Sequence, residues 1–312
     1  MNNLEDHPTF LADIIWTDEA GLSLNGMFNR QNVHTWSLEN PRYAVEVRHQ
    51  LRWPINVWCG FFNDRLIGPV FYKGTLTGQR YLDFCRMALV FVSHGYAEHC
   101  LLYEPLAQTL ASHSFLVFSH DHVGHGQSEG LRAQIDTFDK FVDDVFKHVD
   151  IVRKRFPDLE CFICGHSMGG AISILSALRK PDYFKGVVLI GPAVVTNPEV
   201  ATPFKTAVAK ILRWVAPQFP VAALDLSLVC SCPNKVKSME EDPLRFHGFC
   251  KAGFGASLVD ACKEIQKKIP AIAFPFIICQ GEEDKLCSPE GAVFMYENAA
   301  SEDKTIKVRI LF

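Results

Sequence analysis

The chain has 312 residues, of which 48% are hydrophobic and 21% charged, a balance typical of a soluble globular protein. This length accommodates one large α/β domain or two smaller ones. A net charge of −4 gives no reason to expect a nucleic-acid partner. The acidic amino terminus does not resemble a signal peptide, and no apolar run approaches the ~20 residues of a membrane-spanning helix, so we expect a cytoplasmic protein.

The first 80 or so residues are predicted to be rich in β-structure. Trp53–Phe62 and Leu66–Tyr72 are apolar runs separated by turn residues, and no helical period of comparable strength accompanies them. This pattern differs from that of the rest of the chain, and it predicts a separate unit over residues 1–85.

From residue 87 onward, strand-like and helix-like segments alternate. The predicted strands are Met87–Ser93, Ser114–Ser119, Cys161–Cys164, Gly186–Ile190, Phe274–Cys279 and Thr305–Phe312. Helices are predicted at 101–112, from about Phe138 to Arg155, up to about Arg179, and at 289–300. This alternation predicts an α/β fold over residues 86–312, with a mostly parallel sheet and helices on both faces.

Eleven cysteines are scattered along the chain, and Cys161 and Cys164 form a Cys-x-x-Cys spacing inside a predicted strand. We expect buried, reduced thiols there rather than a redox or metal pair, because no companion pair stands at zinc-site spacing.

Residues 193–262 interrupt the sheet pattern, as a cap domain would. An apolar stripe of helical spacing includes Phe204, Val208, Ile211 and Val215, with basic residues on other faces. Such a helix binds a membrane surface or packs on its own domain, and periodicity alone does not separate the two.

Ser167 lies at the centre of Gly165-His-Ser-Met-Gly169, between a predicted strand and a predicted helix. Gly-x-Ser-x-Gly in this context is the nucleophile elbow of α/β-hydrolases, and it predicts that Ser167 is a catalytic nucleophile. The backbone N–H of Met168 then faces the developing oxyanion. A glycine-rich turn with an incidental serine is the alternative.

Two further site residues follow from position in the fold. Tyr96, in the loop after the strand Met87–Ser93, is the candidate for the second backbone oxyanion donor. Asp284, just beyond the strand Phe274–Cys279, fits the Ser–Asp–His chain order as the triad acid. A plain glycine turn and an ordinary loop aspartate are the respective alternatives.

Four motifs together resemble the animal monoglyceride lipases over roughly residues 87–308. They are His94-Gly-Tyr-Ala-Glu-His99, Ser119–Gly130, Gly165-His-Ser-Met-Gly-Gly-Ala171 and Gln280-Gly-Glu-Glu-Asp284. The resemblance implies hydrolysis of 2-monoacylglycerols to fatty acid and glycerol, with Ser167, Asp284, Tyr96 and Met168 in the roles given above. It implies no cofactor or metal, and it favours peripheral membrane association through the cap. Tyr96 departs from the family, which usually has a small residue there.

No residue of the sequence can be assigned as the histidine that acts as general base in the triad. In this fold the triad histidine should follow the last strand, and no histidine occurs after His247. The sequence therefore predicts a hydrolase domain that lacks the terminal loop and helix, with a rate reduced on the order of 10³–10⁶-fold.

His120, His122 and His125 cluster after a predicted strand. We interpret them as structural hydrogen-bonding residues rather than metal ligands, because no carboxylate or Cys/His set accompanies them.

Residues of about 10–83 resemble part of a mariner-type transposase. The similar segments include Trp16-Thr-Asp-Glu-Ala20, Trp36–Pro41 and Val57-Trp-Cys-Gly60. The resemblance implies an RNase H-like fragment with Asp18 as the first carboxylate of a DDE site. Because two-metal chemistry needs further carboxylates, we do not expect transposition.

Two alternatives to a lipase-like hydrolase therefore stand at this point. One is a catalytically impaired or misjoined chimera, and the other is residual DNA binding by the first unit, which would be sensitive to salt.

Overall fold

The structure, a computed structural model, describes residues 16–23, 52–62, 65–72, 88–195, 202–230 and 232–309. The chain forms two units, Met1–Cys85 and Arg86–Phe312. In the first unit, the strands β1 (Trp16–Ser23), β2 (Arg52–Phe62) and β3 (Arg65–Tyr72) form an antiparallel sheet in the order β1-β2-β3. β2 and β3 match the two predicted strands. β1 was not predicted, because it contains Asp, Glu, Ala and Gly, which are depleted in strands.

The second unit is built on a six-stranded parallel sheet. Its strands are β4 (Ala88–Ser93), β5 (Phe115–Ser119), β6 (Cys161–His166), β7 (Val187–Ile190), β10 (Phe276–Gly281) and β11 (Lys304–Arg309). They lie in the order β11-β10-β7-β6-β4-β5. The helices between them are α1 (Glu104–Ser112), α2 (Asp139–Arg155), α3 (Met168–Arg179) and α7 (Pro289–Asn298). The predicted α/β fold with a mostly parallel sheet is confirmed.

The alternation of side chains along β4 explains how both faces of the sheet are used. Leu89 and Phe91 point into the main core with residues of α2 and α3, whereas Val90 and Val92 point to the opposite face. Leu106 of α1 packs on that opposite face. Further along the same sheet, alternate residues of β7 and β10 remain half-buried.

The cap comprises α4 (Pro203–Val215), β8 (Pro220–Ala222), α5 (Pro233–Glu241) and β9 (Cys250–Lys251), followed by α6 (Ala252–Lys268). β8 and β9 pair in antiparallel fashion. Helix α6 runs past the predicted limit of the cap at residue 262. Its Phe254 and Ile265 are buried in the main core, so α6 joins the cap to the sheet domain.

Across the part of the chain that the structure describes, every helix is too short or too polar to cross a membrane.

Candidate active site

The order of the strands determines where a site can form. The chain leaves β4 towards β5 on one side and continues from β6 through β7, β10 and β11 on the other. The carboxyl ends of β4 and β6 are therefore adjacent at the point where the winding reverses. In open α/β sheets, such a switch point is where the crevice for ligands opens. The loop that contains Tyr96 and the turn that contains Ser167 lie at these two strand ends.

Ser167 occupies a strained turn between β6 and α3. Its φ of 52° lies in the left-handed region, which costs energy for a residue with a side chain. The turn is held by two backbone hydrogen bonds, from the N–H of Ser167 to the carbonyl of Ile190 at 3.1 Å and from the N–H of Ala193 to the carbonyl of Ser167 at 3.0 Å. The neighbouring strand β7 and its following loop therefore enforce the conformation of the nucleophile.

The two glycines of the motif are required by close packing. A Cβ on Gly165 would lie 2.2 Å from the carbonyl oxygen of Gly169, and a Cβ on Gly169 would lie 2.0 Å from the carbonyl oxygen of Ser93. Strand β6 and helix α3 therefore touch through their backbones, and the end of β4 packs directly on the first turn of α3. This contact brings the loop of Tyr96 to the elbow.

Met168 is the first residue of α3, and its side chain is buried. The first N–H groups of a helix have no intrahelical acceptor, and the helix dipole adds partial positive charge there. The backbone N–H of Met168 is therefore available to an anion that forms at Ser167. This is the position that the sequence predicted for an oxyanion donor.

Asp284 follows β10, and its half-buried carboxylate is fixed by three donors. Its Oδ1 accepts from the N–H groups of Leu286 at 2.9 Å and Cys287 at 2.8 Å, and its Oδ2 accepts from Nε2 of Gln280 at 3.2 Å. Its Oδ2 also faces Gly191, since a Cβ there would lie 3.1 Å away. The carboxylate thus points towards the loop that follows β7, the neighbouring strand.

Cys287 lies between the two predicted triad members, a position that no sequence motif predicts. Its Sγ is 3.5 Å from Oγ of Ser167, and its backbone N–H binds Asp284. Burial raises the pKa of the Cys287 thiol to about 12. The thiol is therefore protonated at neutral pH and cannot accept the proton of Ser167.

The histidine of a triad is not brought to this place by any residue that the structure describes. Within residues 88–195, 202–230 and 232–309, no histidine hydrogen-bonds Ser167 Oγ or the carboxylate of Asp284. His247 lies on the exposed side of the cap, where its Nε2 binds the carbonyl of Asp242 at 2.7 Å.

A buried polar network supports the loop that carries Tyr96. Glu98 accepts hydrogen bonds at Oε2 from the N–H of Gly95 at 2.9 Å and from the hydroxyl of Tyr103 at 2.6 Å. His166, the residue before the nucleophile, has its Nδ1 3.3 Å from the same oxygen. Burial alone would raise the pKa of Glu98, but His166 and Tyr103 outweigh it and lower this pKa to about 2. The charge of Glu98 therefore links the predicted oxyanion loop to the elbow.

The cap is tied to this loop by two contacts. His99 Nε2 lies 2.7 Å from Oδ2 of Asp242, and the N–H of Phe246 donates to the carbonyl of Ala97 at 3.1 Å. Both cap residues belong to the segment between α5 and β9, so this segment sits on the loop next to the candidate oxyanion site.

The histidine cluster has structural partners. His122 Nε2 lies 2.9 Å from Oγ of Ser93, His120 Nδ1 lies 3.1 Å from His148 Nδ1, and His125 Nδ1 donates to the carbonyl of Val123 at 3.2 Å. Each of these three side chains thus has a partner within the protein for one of its ring nitrogens.

The fold and the elbow define a serine hydrolase of the α/β-hydrolase class. The family described as serine aminopeptidase, S33, matches residues 85–309. The chain is 45% identical over 221 residues to monoglyceride lipase of Mus musculus, covering 71% of this chain and 73% of the relative. It is 35% identical to monoacylglycerol lipase of Mycolicibacterium smegmatis, covering 70% of this chain and 78% of the relative.

A solved monoacylglycerol lipase of Paleococcus ferrophilus superposes with a TM-score of 0.63 at 30% identity, covering 71% of this chain and 84% of that one. The chain therefore belongs to the monoglyceride lipase family and is a serine ester hydrolase. The matched residues begin at 85, so the transposase resemblance of the first unit stays a prediction.

Proposed function

We propose that this protein hydrolyses 2-monoacylglycerols to a fatty acid and glycerol through an acyl-serine intermediate. The observation that carries the proposal is the strained elbow, which presents Ser167 at the winding reversal of the sheet, where Cys287 contacts both Ser167 and Asp284. The relatives named above are monoglyceride and monoacylglycerol lipases, which supports the same class of substrate.

The proposed reaction has two halves. Ser167 Oγ attacks the ester carbonyl and loses its proton to solvent water, because no described histidine reaches Ser167. The N–H groups of Tyr96 and Met168 stabilise the oxyanion. Collapse of this intermediate breaks the ester bond, and the proton passes to the leaving glycerol oxygen. Water then attacks the acyl-serine, releases the fatty acid and returns the proton to Ser167. Asp284 supplies a fixed negative charge next to Cys287, which contacts Ser167.

The test is turnover of 2-butyrylglycerol together with labelling by a fluorophosphonate probe. Wild-type protein should release butyrate and incorporate the probe, whereas Ser167→Ala should do neither. Ser112→Ala is the matched control, because Ser112 is an exposed serine at the end of α1, and it should behave as wild type. Butyrate release no faster than that of Ser167→Ala would refute the proposal.

We further propose that the cap binds a membrane surface and takes its lipid substrate from there. The exposed face of α4 carries Val208, Ile211, Trp214 and Val215, of which Trp214 is 85% and Val215 75% exposed. Trp214 was not part of the predicted stripe. Exposed apolar residues grouped on one helix face are characteristic of a binding surface.

Charge on α4 gives less support than the sequence suggested, since two of its basic residues are already paired. Lys210 and Arg213 both form ion pairs with Asp260 of α6, at 3.1 and 2.7 Å. Association should therefore depend on apolar insertion more than on anionic lipid.

Sedimentation with phosphatidylcholine vesicles tests this surface. Trp214→Ser should weaken binding about tenfold or more, because burial of a large aromatic side chain contributes several kcal/mol. Ile151→Ser is the matched control, since Ile151 is 60% exposed on α2 of the sheet domain. Equal losses in the two variants, or none, would count against the cap as the binding surface.

A further inference from the structure

Tyr96 combines two positions that bear on the substrate. Its backbone N–H belongs to the loop after β4 that packs on the elbow, and its side chain extends from that loop towards the cap. The inference that follows rests on the proposed ester hydrolysis at Ser167, because it concerns the acyl group that is held there.

The ring of Tyr96 is held between the two parts of the second unit. It stacks on Phe254 of α6 with ring centroids 4.1 Å apart and an interplanar angle of 29°. It also meets His125 edge to face at 5.9 Å. Phe254 is 1% exposed, so the stack lies in the interior and does not cover an outer surface.

The hydroxyl of Tyr96 ends against β9. It is buried, has no nitrogen or oxygen partner, and faces the thiol of Cys250. Burial, followed by the proximity of Cys250, raises the pKa of Tyr96. A thiol is only a weak hydrogen-bond partner, so packing alone gives a phenol little advantage over phenylalanine at this position.

This placement has a steric consequence. When the carbonyl oxygen of an ester accepts a hydrogen bond from the Tyr96 N–H, the carbonyl carbon of that ester lies close to the Cα of Tyr96. From the same residue the ring extends to Phe254 of α6, and its hydroxyl faces Cys250 of β9. A residue with a small side chain at position 96 would leave the space of this ring empty beneath the cap.

We propose that Tyr96 determines acyl-chain length, by filling the part of the cap interior that a long acyl chain would enter beyond the reacting carbonyl. Tyr96 is a specificity-determining residue in this proposal, and short acyl groups are the preferred substrates. Its side chain takes no part in the bond-making steps, whereas its backbone N–H does.

The first measurement is kcat/KM for a series of monoacylglycerols with four to sixteen acyl carbons, each kept below its aggregation limit. Wild type should favour the short members. Tyr96→Ala keeps the backbone N–H and removes the ring, so the ratio of the C12 to the C4 substrate should rise at least tenfold. Tyr96→Phe keeps the ring and removes the hydroxyl, so its ratio should stay within about twofold of wild type. A C12 to C4 ratio in Tyr96→Ala equal to that of wild type would overturn the inference.

The second measurement separates this inference from the proposed function. Non-hydrolysable 2-O-butylglycerol and 2-O-dodecylglycerol ethers are titrated calorimetrically into wild type, Tyr96→Ala and Tyr96→Phe. The dodecyl ether should gain at least tenfold in affinity in Tyr96→Ala alone. Absence of turnover with this gain would refute the proposed function and retain the acyl-length role. Turnover of the ester without a gain in affinity for the dodecyl ether would retain the proposed function and refute the acyl-length role. If Tyr96→Ala fails to fold by circular dichroism, Tyr96→Leu replaces it, with the same expected direction.

Discussion

The buried histidines make the protein sensitive to acid at a pH where its carboxylates stay ionised. His94 and His125 are each no more than 1% exposed, and His120 is largely enclosed beside Phe91. Burial lowers the pKa of His94 to about 3 and the pKa values of His120 and His125 to about 4. In the folded protein these imidazoles are therefore neutral at pH 5.

The sign of the effect follows from comparison with the unfolded chain, where a histidine has a pKa of about 6.5. Below that pH the unfolded state binds protons that the folded state does not, so the free energy of unfolding falls as the pH falls. Between pH 7.5 and pH 5 each such histidine contributes a loss of about 2 kcal/mol. Burial also lowers the pKa of His122 well below its usual value, so four histidines contribute. For the four together the loss is about 8 kcal/mol, against a typical total stability of about 5–15 kcal/mol.

Two neighbouring groups, one acidic and one basic, also affect the stability between pH 7.5 and pH 5. Glu98, with a pKa of about 2, remains charged throughout and adds nothing to the change. Burial lowers the pKa of His166 while Glu98 raises it, and the net shift is upward. The stability that His166 contributes is therefore greatest at low pH and offsets part of the loss.

Urea unfolding at pH 7.5, 6 and 5, followed by circular dichroism, measures the effect. His120→Phe should reduce the pH dependence by about a quarter, because a phenyl ring fills the same apolar site without binding a proton. His113→Gln is the control, since His113 is exposed at the end of α1, and it should leave the dependence unchanged. A loss of less than about 2 kcal/mol between pH 7.5 and pH 5 would show that these imidazoles are not held neutral by burial.

Two further predictions concern the elbow and its support. Gly169→Ala places a Cβ 2.0 Å from the carbonyl oxygen of Ser93, so the free energy of unfolding in urea should fall by more than about 3 kcal/mol. Gly255→Ala is the control within helix α6, because its new Cβ meets its nearest neighbour at 3.8 Å, and it should raise the free energy of unfolding by about 0.5–1 kcal/mol. Equal stability of these two variants would contradict the packing argument. Glu98→Gln should cost about 2–3 kcal/mol by the loss of charge-assisted hydrogen bonds, and it should lower the pKa of His166 in an NMR titration; an unmoved His166 titration would exclude Glu98 as its partner.

Local sequence was sufficient to predict the elbow. Gly-x-Ser-x-Gly after an apolar strand specifies a turn that only small flanking residues allow, and Ser167 adopts it. The positions of Tyr96 and Asp284 followed from chain order, because parallel strands bring their carboxyl ends to one edge.

The partners of these residues could not be predicted in the same way. Cys287 reaches Ser167 across 120 residues, and His166 reaches Glu98 across 68, so no local pattern links the members of either pair. The exposure of Trp214 and of its neighbours on α4 could not be predicted either. Helical periodicity identifies residues that share a face, and it does not show whether that face meets the core or the solvent.

The close approach of Ser93 to Gly169 has a consequence for the order of folding events. Helix α3 gains a fixed amino terminus only when β4 and β6, separated along the chain by α1, β5 and α2, have paired. Contacts between such distant segments are slow to form, because the chain loses loop-closure entropy before these contacts contribute any favourable free energy. Reactivity at Ser167 should consequently emerge after most of the helical structure during refolding. The rate at which a serine-reactive probe begins to label Ser167 during refolding should therefore report when the native sheet is complete.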